Sequence, residues 1–269
     1  MQLIQSRKII MDNLWEPELY GIFARRNDTV VFYFSNYHRL YALEDQGIPR
    51  ILHCARGHSF PLPYHWRWIE TPASSFLLLS ESMGLNLADE SWLSPIPLEL
   101  SMEYIKRIFP EKHLEEDEYI FDDYCISHKG MCGYTCTRQG EHLWDFQGRA
   151  YLYTEPERYQ DKIYFGTAGF GGYFYILDLE TGKPLAQIKT GGTSCVVRLG
   201  DMCYLLRNDG KTSMVCIDLQ NGEIIDSTIL PGKASDHSRI QLIDNKLHAI
   251  TFQKRNGRLH YALWNTVQL

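Results

Sequence analysis

The feature that most constrains this chain is a repeat of short apolar strands and glycine turns with a period near 40 residues. Lys162-Ile-Tyr-Phe-Gly-Thr, Tyr173-Phe-Tyr-Ile-Leu-Asp-Leu-Glu-Thr-Gly-Lys and Pro184-Leu-Ala-Gln-Ile-Lys read as strand, hairpin, strand, tight turn, strand. The same order returns as Met202-Cys-Tyr-Leu-Leu, Met214-Val-Cys-Ile-Asp-Leu-Gln-Asn-Gly and Glu223-Ile-Ile-Asp. The turn glycines Gly182 and Gly222 are 40 residues apart, and Gly140 precedes Gly182 by 42. Gly47 lies 93 residues before Gly140, two periods with a small insertion. A last copy runs from Lys246 through Arg258 to Trp264. The strands are β-branched or aromatic, and the joints carry Gly, Asn, Asp or Thr. Thr181-Gly182 and Asn221-Gly222 mark hairpins, because glycine tolerates the positive φ that such turns need.

A unit of 40–46 residues with about four strands matches a β-propeller blade. The blades fall near 14–56, 64–100, 117–148, 150–190, 193–230 and 238–269. That is six, or five if 64–116 forms no full sheet. The final unit ends after its third strand. The strand-like segment Gln2–Ile10 is expected to supply the missing outer strand and close the ring, which removes exposed edges. The irregular part is 84–117. Within it Met102, Tyr104, Ile105, Ile108 and Phe109 recur at helical spacing, so a short helix is expected near 101–110 with Ser101 as its N-cap. No Gly/Ser-rich linker separates the units, and the chain reads as one all-β domain, 1–269.

Composition narrows the function. A hydrophobic fraction of 44% and a charged fraction of 22% over 269 residues suit a folded core and exclude general disorder. A net charge of −6 argues against a general binder of nucleic acid or anionic membrane. Arg7 and Lys8 sit inside the first apolar stretch, unlike a secretory leader, and no run approaches a membrane span of about 20 residues. The expected location is the cytoplasm. The seven cysteines are odd in number and irregular in spacing, and most lie in apolar runs, so they read as free thiols in a reducing compartment.

The chemical motifs are sparse. Gly166-Thr-Ala-Gly-Phe-Gly-Gly172 has strands on both sides, whereas a phosphate cradle needs a following helix, so it reads as a hairpin loop. Cys132 and Cys136, with Cys125 and His128 nearby, are about 13 Å apart if they share a strand, too far for one tetrahedral zinc. The ten histidines are scattered, without His-Glu-x-x-His or Gly-x-Ser-x-Gly. Asp236-His237-Ser238 are neighbours in sequence, and triad members meet through the fold instead. These patterns assign no catalytic residue, no metal ligand and no cofactor.

Two concentrations point to a partner surface. Positions 111–123 hold seven carboxylates and one lysine, interleaved with Tyr119 and Phe121. This run reads either as a solvated helix exit or as a contact surface for a basic protein, through Glu115, Glu116, Asp117, Glu118, Tyr119, Asp122 and Asp123. It falls in the insertion, where recognition commonly sits on a rigid scaffold. Trp66, Trp68 and Trp92 form the second concentration, read either as core or as contact anchors.

The segment Asp161–Lys189, and Tyr175-Ile-Leu-Asp-Leu-Glu-Thr-Gly-Lys within it, resembles the pyrroloquinoline-quinone-type propeller repeat. Val215-Cys-Ile-Asp-Leu-Gln-Asn-Gly-Glu is similar to a second copy. The resemblance covers about 118–230 well and implies a fold; propellers host enzymes, scaffolds and binding modules alike. Quinone enzymes of that family carry a vicinal cysteine pair. No two cysteines are adjacent here, so the quinone cofactor is not expected. Small size, a solitary domain, acidic charge and no export signal together resemble bacterial immunity proteins, including those of contact-dependent growth inhibition. The expected function is protein binding without catalysis, as a monomer or a 1:1 complex with a basic toxin or nuclease domain. The alternatives are a sugar lyase or hydrolase acting in the central funnel, and an assembly scaffold with several partners.

Overall fold

The computed structural model describes residues 1–11, 20–36, 38–44, 47–54, 66–102, 112–113, 118–168, 171–192, 195–234, 238–255 and 258–269. Strands β1 (Gln2–Ile10), β2 (Tyr20–Arg26), β3 (Thr29–Asn36), β4 (Arg39–Glu44) and β5 (Arg50–Cys54) open the chain. They are followed by β6 (Arg67–Glu70), β7 (Ser75–Leu78), β8 (Gly84–Asn86) and β9 (Ser91–Leu93). Next come β10 (Lys112–His113), β11 (Glu118–Phe121), β12 (Tyr124–His128), β13 (Gly133–Arg138) and β14 (Glu141–Gln147). The following group is β15 (Tyr151–Leu152), β16 (Glu157–Tyr159), β17 (Lys162–Ala168), β18 (Tyr173–Asp178) and β19 (Pro184–Lys189). Last are β20 (Val196–Leu199), β21 (Met202–Asp209), β22 (Lys211–Asp218), β23 (Glu223–Ile229), β24 (Arg239–Ile243), β25 (Lys246–Arg255) and β26 (Arg258–Gln268).

The strands form six antiparallel sheets: β2–β5, β6–β9, β10–β14, β15–β19 with β16 pairing only β17, β20–β23, and β24–β26 with β1. These are the blades of a β-propeller, and residues 67–93 form a full four-stranded one, which decides between five blades and six. The sixth sheet has the order β1-β26-β25-β24, so the N-terminal strand supplies its edge as the missing fourth strand. By packing, the chain divides into two compact units. The first holds Met1–Leu3 and Glu111–Ile240; the second holds Ile4–Pro110 and Gln241–Leu269.

In the first unit the 40-residue period is visible in hydrogen bonds. Leu179 N–H donates to the Asp161 carbonyl at 2.8 Å, and Leu219 N–H to that of Asp201 at 2.9 Å. Gly182 N–H and Gly222 N–H reach the carbonyls of Asp178 and Asp218, both at 2.8 Å. Each aspartate organises its own turn. Asp178 Oδ1 accepts from the Thr181 N–H and hydroxyl, and Asp218 Oδ1 accepts from the Gln220 N–H. This is the local capping chemistry of Asp and Thr that makes them turn formers.

The turns also join neighbouring sheets, and the two junctions use different chemistry at the same carbonyl. Trp144 on β14 donates its indole N–H to the Leu179 carbonyl at 2.9 Å, and its ring lies against Gly182. One period later, Lys162 Nζ donates to the Leu219 and Gln220 carbonyls at 3.2 and 2.7 Å, and Gly222 lies against Ala186. A turn carbonyl facing another sheet needs a donor. Either an indole or an ammonium meets that need.

The core of the second unit is aromatic. Phe23, Phe32, Phe34, Tyr41, Phe252 and Trp264 pack with aliphatic side chains between the sheets of β2–β5 and β24–β26. The Tyr41 ring stacks on Phe34 at 4.9 Å, but its buried hydroxyl has no hydrogen-bond partner among the described residues. Such a group costs about 1–3 kcal/mol in the folded state. Tyr41→Phe should therefore raise stability by about 1 kcal/mol, seen as a higher urea midpoint; an unchanged or lower midpoint would mean the hydroxyl is solvated.

A short helix, α1, spans 98–102 within the described residues. It starts three residues before the Ser101 cap expected from sequence. Ser101 N–H already bonds the Pro97 carbonyl at 3.0 Å, so Ser101 lies inside the first turn. Proline favours helix starts, since its fixed φ suits the turn and its missing N–H is not needed there. The remainder of the expected helix, 103–110, lies outside the described residues.

Candidate protein-interaction surface

Glu115, Glu116 and Asp117 of the acidic run lie outside the described residues. Its visible end is the β11–β12 hairpin in the first unit. Phe121 pairs with Tyr124, so Asp122 and Asp123 form the two-residue turn, with Asp122 at φ 55°. A type of turn with positive φ favours Gly, Asn and Asp, so the acidic pair is also the local turn former. Asp122 is well exposed, and Arg158 Nη1 donates to it at 2.5 Å. Asp123 accepts from Arg138 Nε at 2.6 Å, which holds its carboxyl below the ordinary carboxylate range. Arg138 lies 5.0 Å from the Tyr124 ring and 3.4 Å from Glu180, to which the Tyr124 hydroxyl donates at 2.5 Å. The result is an exposed patch of Asp122, Asp123, Glu180 and Tyr124 threaded by two arginines.

Tyr119 and Trp66 do not belong to such a surface. Tyr119 alternates inward with Phe121 and packs in the core between the sheets of β10–β14 and β15–β19. Trp66 is only 1% exposed and packs with Val31, Tyr33 and Leu77 in the second unit. As contact residues both are corrected to core: strand alternation turns Tyr119 toward the neighbouring sheet, and Trp66, immediately before β6, is enclosed by the apolar cluster it packs in. Trp68 is half-buried against two core clusters. Trp92 on β9 is half-buried, with its ring stacked on His53 at 4.3 Å. Glu118 is half-buried at the start of β11. The acidic and tryptophan groups therefore fall in different units.

Reasoning from sequence missed Arg138, Arg158 and Glu180. Only the one-period offset between Arg138 and Glu180, 42 residues, could have hinted at their meeting.

Gly166 lies within β17, which pairs antiparallel with β18, so a strand rather than a helix follows this glycine-rich stretch. Among the described residues no cluster of His, Cys, Asp and Glu is arranged to hold a metal ion. All seven cysteines are free. Burial pushes the Cys136 thiol up to about 12, and the Cys203 thiol higher still, so both stay protonated and non-nucleophilic at neutral pH.

One carboxylate is raised. Glu157 on β16 is exposed as a residue, and its Oε2 accepts a hydrogen bond from the fully buried Tyr164 hydroxyl. Burial raises its pKa, opposed by Tyr164 and Arg198 and assisted by Glu155. With the folded value above the unfolded one, the folded state binds the proton more tightly in that window. Stability therefore falls as pH rises from the ordinary glutamate value through the folded pKa, and the deficit persists above it. Glu157→Gln should remove this slope and raise stability at pH 7, measured as thermal midpoints from pH 4 to 8. An unchanged slope would show that the carboxylate is solvated.

A second polar cluster lies in the second unit. Glu90, in the β8–β9 turn at φ 58°, has a largely buried side chain, 12% exposed. Its Oε1 accepts from Arg26 at 2.7 Å and from the buried Tyr33 hydroxyl at 3.3 Å, and its Oε2 pairs with Arg50 at 2.7 Å. Arg26 also donates to Glu44 at 2.5 Å. Burial and the adjacent Glu90 carboxylate push the Tyr33 hydroxyl well above the ordinary tyrosine value.

No protein-family model matches the chain, and no curated protein matches it. Among solved structures it is similar to BamB from Moraxella catarrhalis, at 13% identity and a TM-score of 0.47, covering 99% of this chain and 100% of that one. It is also similar to the computationally designed Ika8 protein, at 9% identity and a TM-score of 0.39, covering 93% of this chain and 72% of that one. The designed Ika4 protein matches at 12% identity and a TM-score of 0.37, covering 53% and 86%.

Proposed function

We propose that this chain is a non-enzymatic, protein-binding β-propeller whose partner is basic. In its most concrete form it is a cytoplasmic immunity protein that binds one cognate nuclease toxin domain and covers its active site. The observation that carries this reading is the β11–β12 turn, where Asp122, Asp123, Glu180 and Tyr124 present carboxylates and an aromatic ring together at the surface. Exposed ion pairs such as those to Arg138 and Arg158 contribute only about 0–1 kcal/mol each. A partner's arginines can therefore replace them at little loss, while the summed negative field speeds encounter.

The test is capture of partners from the native host at low salt, followed by association kinetics with whatever is bound. One basic protein in stoichiometric amount supports the reading. The double variant Glu116→Lys, Asp117→Lys should then slow association about tenfold or more at low salt, with dissociation changed less. Many substoichiometric partners, or unchanged association, would overturn it.

A further inference from the structure

One edge of each of the six sheets is formed by β5, β9, β14, β19, β23 and β1 in turn. A sheet edge offers unpaired backbone groups, and charge, proline or shortness commonly blunts it. β9 has only three residues. Arg50 lies on β5, Glu141, His142 and Asp145 on β14, Pro184 and Lys189 on β19, and Arg7 and Lys8 on β1. β23 is different. From Ser227 the chain reads Ser-Thr-Ile-Leu-Pro with no charge. The carboxylate just before it, on Asp226, is paired with the Met1 amino group. Ile225 and Ile229 are 54% and 63% exposed.

One hydrogen bond fixes the direction of the free backbone groups. Leu230 N–H donates to the Thr212 carbonyl at 2.9 Å, and Thr228 stands opposite Met214 on β22. Backbone groups along an antiparallel strand face alternate sides, so those of Thr228 and Leu230 turn toward β22. Those of Ser227 and Ile229 turn away from it, and among the described residues no strand pairs with that edge. Met1 meets the side chains of Asp226 and Thr228, on the face opposite Ile229, and so leaves the edge itself open. The register shift against Cys216 and Ile217 is confined to the start of β23, before Ser227.

We infer that this edge pairs with the same edge of a second copy of the chain, antiparallel about a two-fold axis at Thr228. Ser227 and Ile229 then exchange both backbone bonds with Ile229 and Ser227 of the copy. Thr228 stands opposite Thr228, a favourable cross-strand pair, and Asp226 opposite Leu230, so no like charges meet. Ile225 falls opposite Pro231, which has no N–H, and the ladder ends there. An axis at Asp226 would oppose two carboxylates, and one at Ser227 would need outward groups from Ile225, where the register shift interrupts the strand. The segment is thus its own complement, as a two-fold interface requires. A basic strand would find no carboxylate along 227–231, so the absence of charge selects the chain's own copy. The inference goes beyond the basic-partner reading and does not rest on it. One strand edge buries less than the roughly 1,200–2,000 Å² of a stable interface, so the dimer is weak.

The test follows the full chain by sedimentation velocity from about 10 μM to 1 mM, the range of a weak interface, with amide exchange read by NMR at both ends. The mass should rise toward two chains. Exchange at Ser227 and Ile229 should slow about threefold or more, while Thr228 and Leu230, already bonded to β22, stay unchanged. Ile229→Lys, at an exposed position, should keep the thermal midpoint and raise the dimer Kd at least about tenfold. A mass of one chain at all concentrations would overturn the inference. So would a dimer whose Ser227 and Ile229 amides exchange as in the monomer, or an Ile229→Lys variant that associates like wild type. Protection of these amides that appears only with a captured partner, at constant chain concentration, would replace the second copy with that partner.

Discussion

Trp144→Ala is expected to destabilise the protein by about 3–5 kcal/mol, the range for truncating a buried large aromatic side chain. Three losses combine. The ring leaves the core it shares with Phe146, Leu177 and Leu179, the Leu179 carbonyl loses its indole donor, and the contact with Gly182 opens. The Gly182 side of this contact gives a sharper experiment. A Cβ built at Gly182 would stand 2.4 Å from the Trp144 ring, and Gly182 sits at φ 65°. Gly182→Ala therefore carries both left-handed backbone strain of about 1–2 kcal/mol and overpacking of about 1–3 kcal/mol. In the Trp144→Ala background only the strain should remain. A double-mutant cycle by urea unfolding should show a coupling of about 1–3 kcal/mol. Strictly additive losses would mean that the indole and the turn do not press on each other.

Glu90→Ala should cost about 2–4 kcal/mol, because removing one member of a mostly buried charge cluster leaves its partners uncompensated. Arg26 and the Tyr33 hydroxyl would lose their shared acceptor, and Arg50 would lose its counter-ion. Partial exposure places the figure below that of a fully buried pair. Glu90→Gln keeps an acceptor and the shape, so it should lose roughly half as much. Denaturation of both variants, at low and high salt, checks this. A loss under about 0.5 kcal/mol for Glu90→Ala would show that water replaces the carboxylate freely.

Much of the fold was legible because its signals are local. The Asp178–Thr181–Gly182 and Asp218–Gln220–Gly222 turns are built from side chains reaching their own backbone within four residues. Such bonds do not depend on tertiary context, so spacing alone located both hairpins and their period. The helix start was placed three residues late because Ser101 has the chemistry of a cap, but Pro97 begins the turn first.

The candidate surface was less legible. The acidic run announced itself by composition, yet Tyr119 and Trp66 went to the core. A strand's two faces are equivalent in its own sequence until a second sheet covers one of them. Asp122 and Asp123 could be seen as charges, but not as charges already held by Arg158 and Arg138.

By itself, then, the sequence determined an all-β chain of repeated four-stranded units, the position of its turns, and the borrowed first strand, since these follow from alternation and turn chemistry over a few residues. Only the tertiary structure decided which aromatic side chains are core, and that an indole serves one turn carbonyl and an ammonium its counterpart. Those outcomes depend on atoms many residues apart meeting across separate sheets, and no pattern within a single strand records which ones will meet.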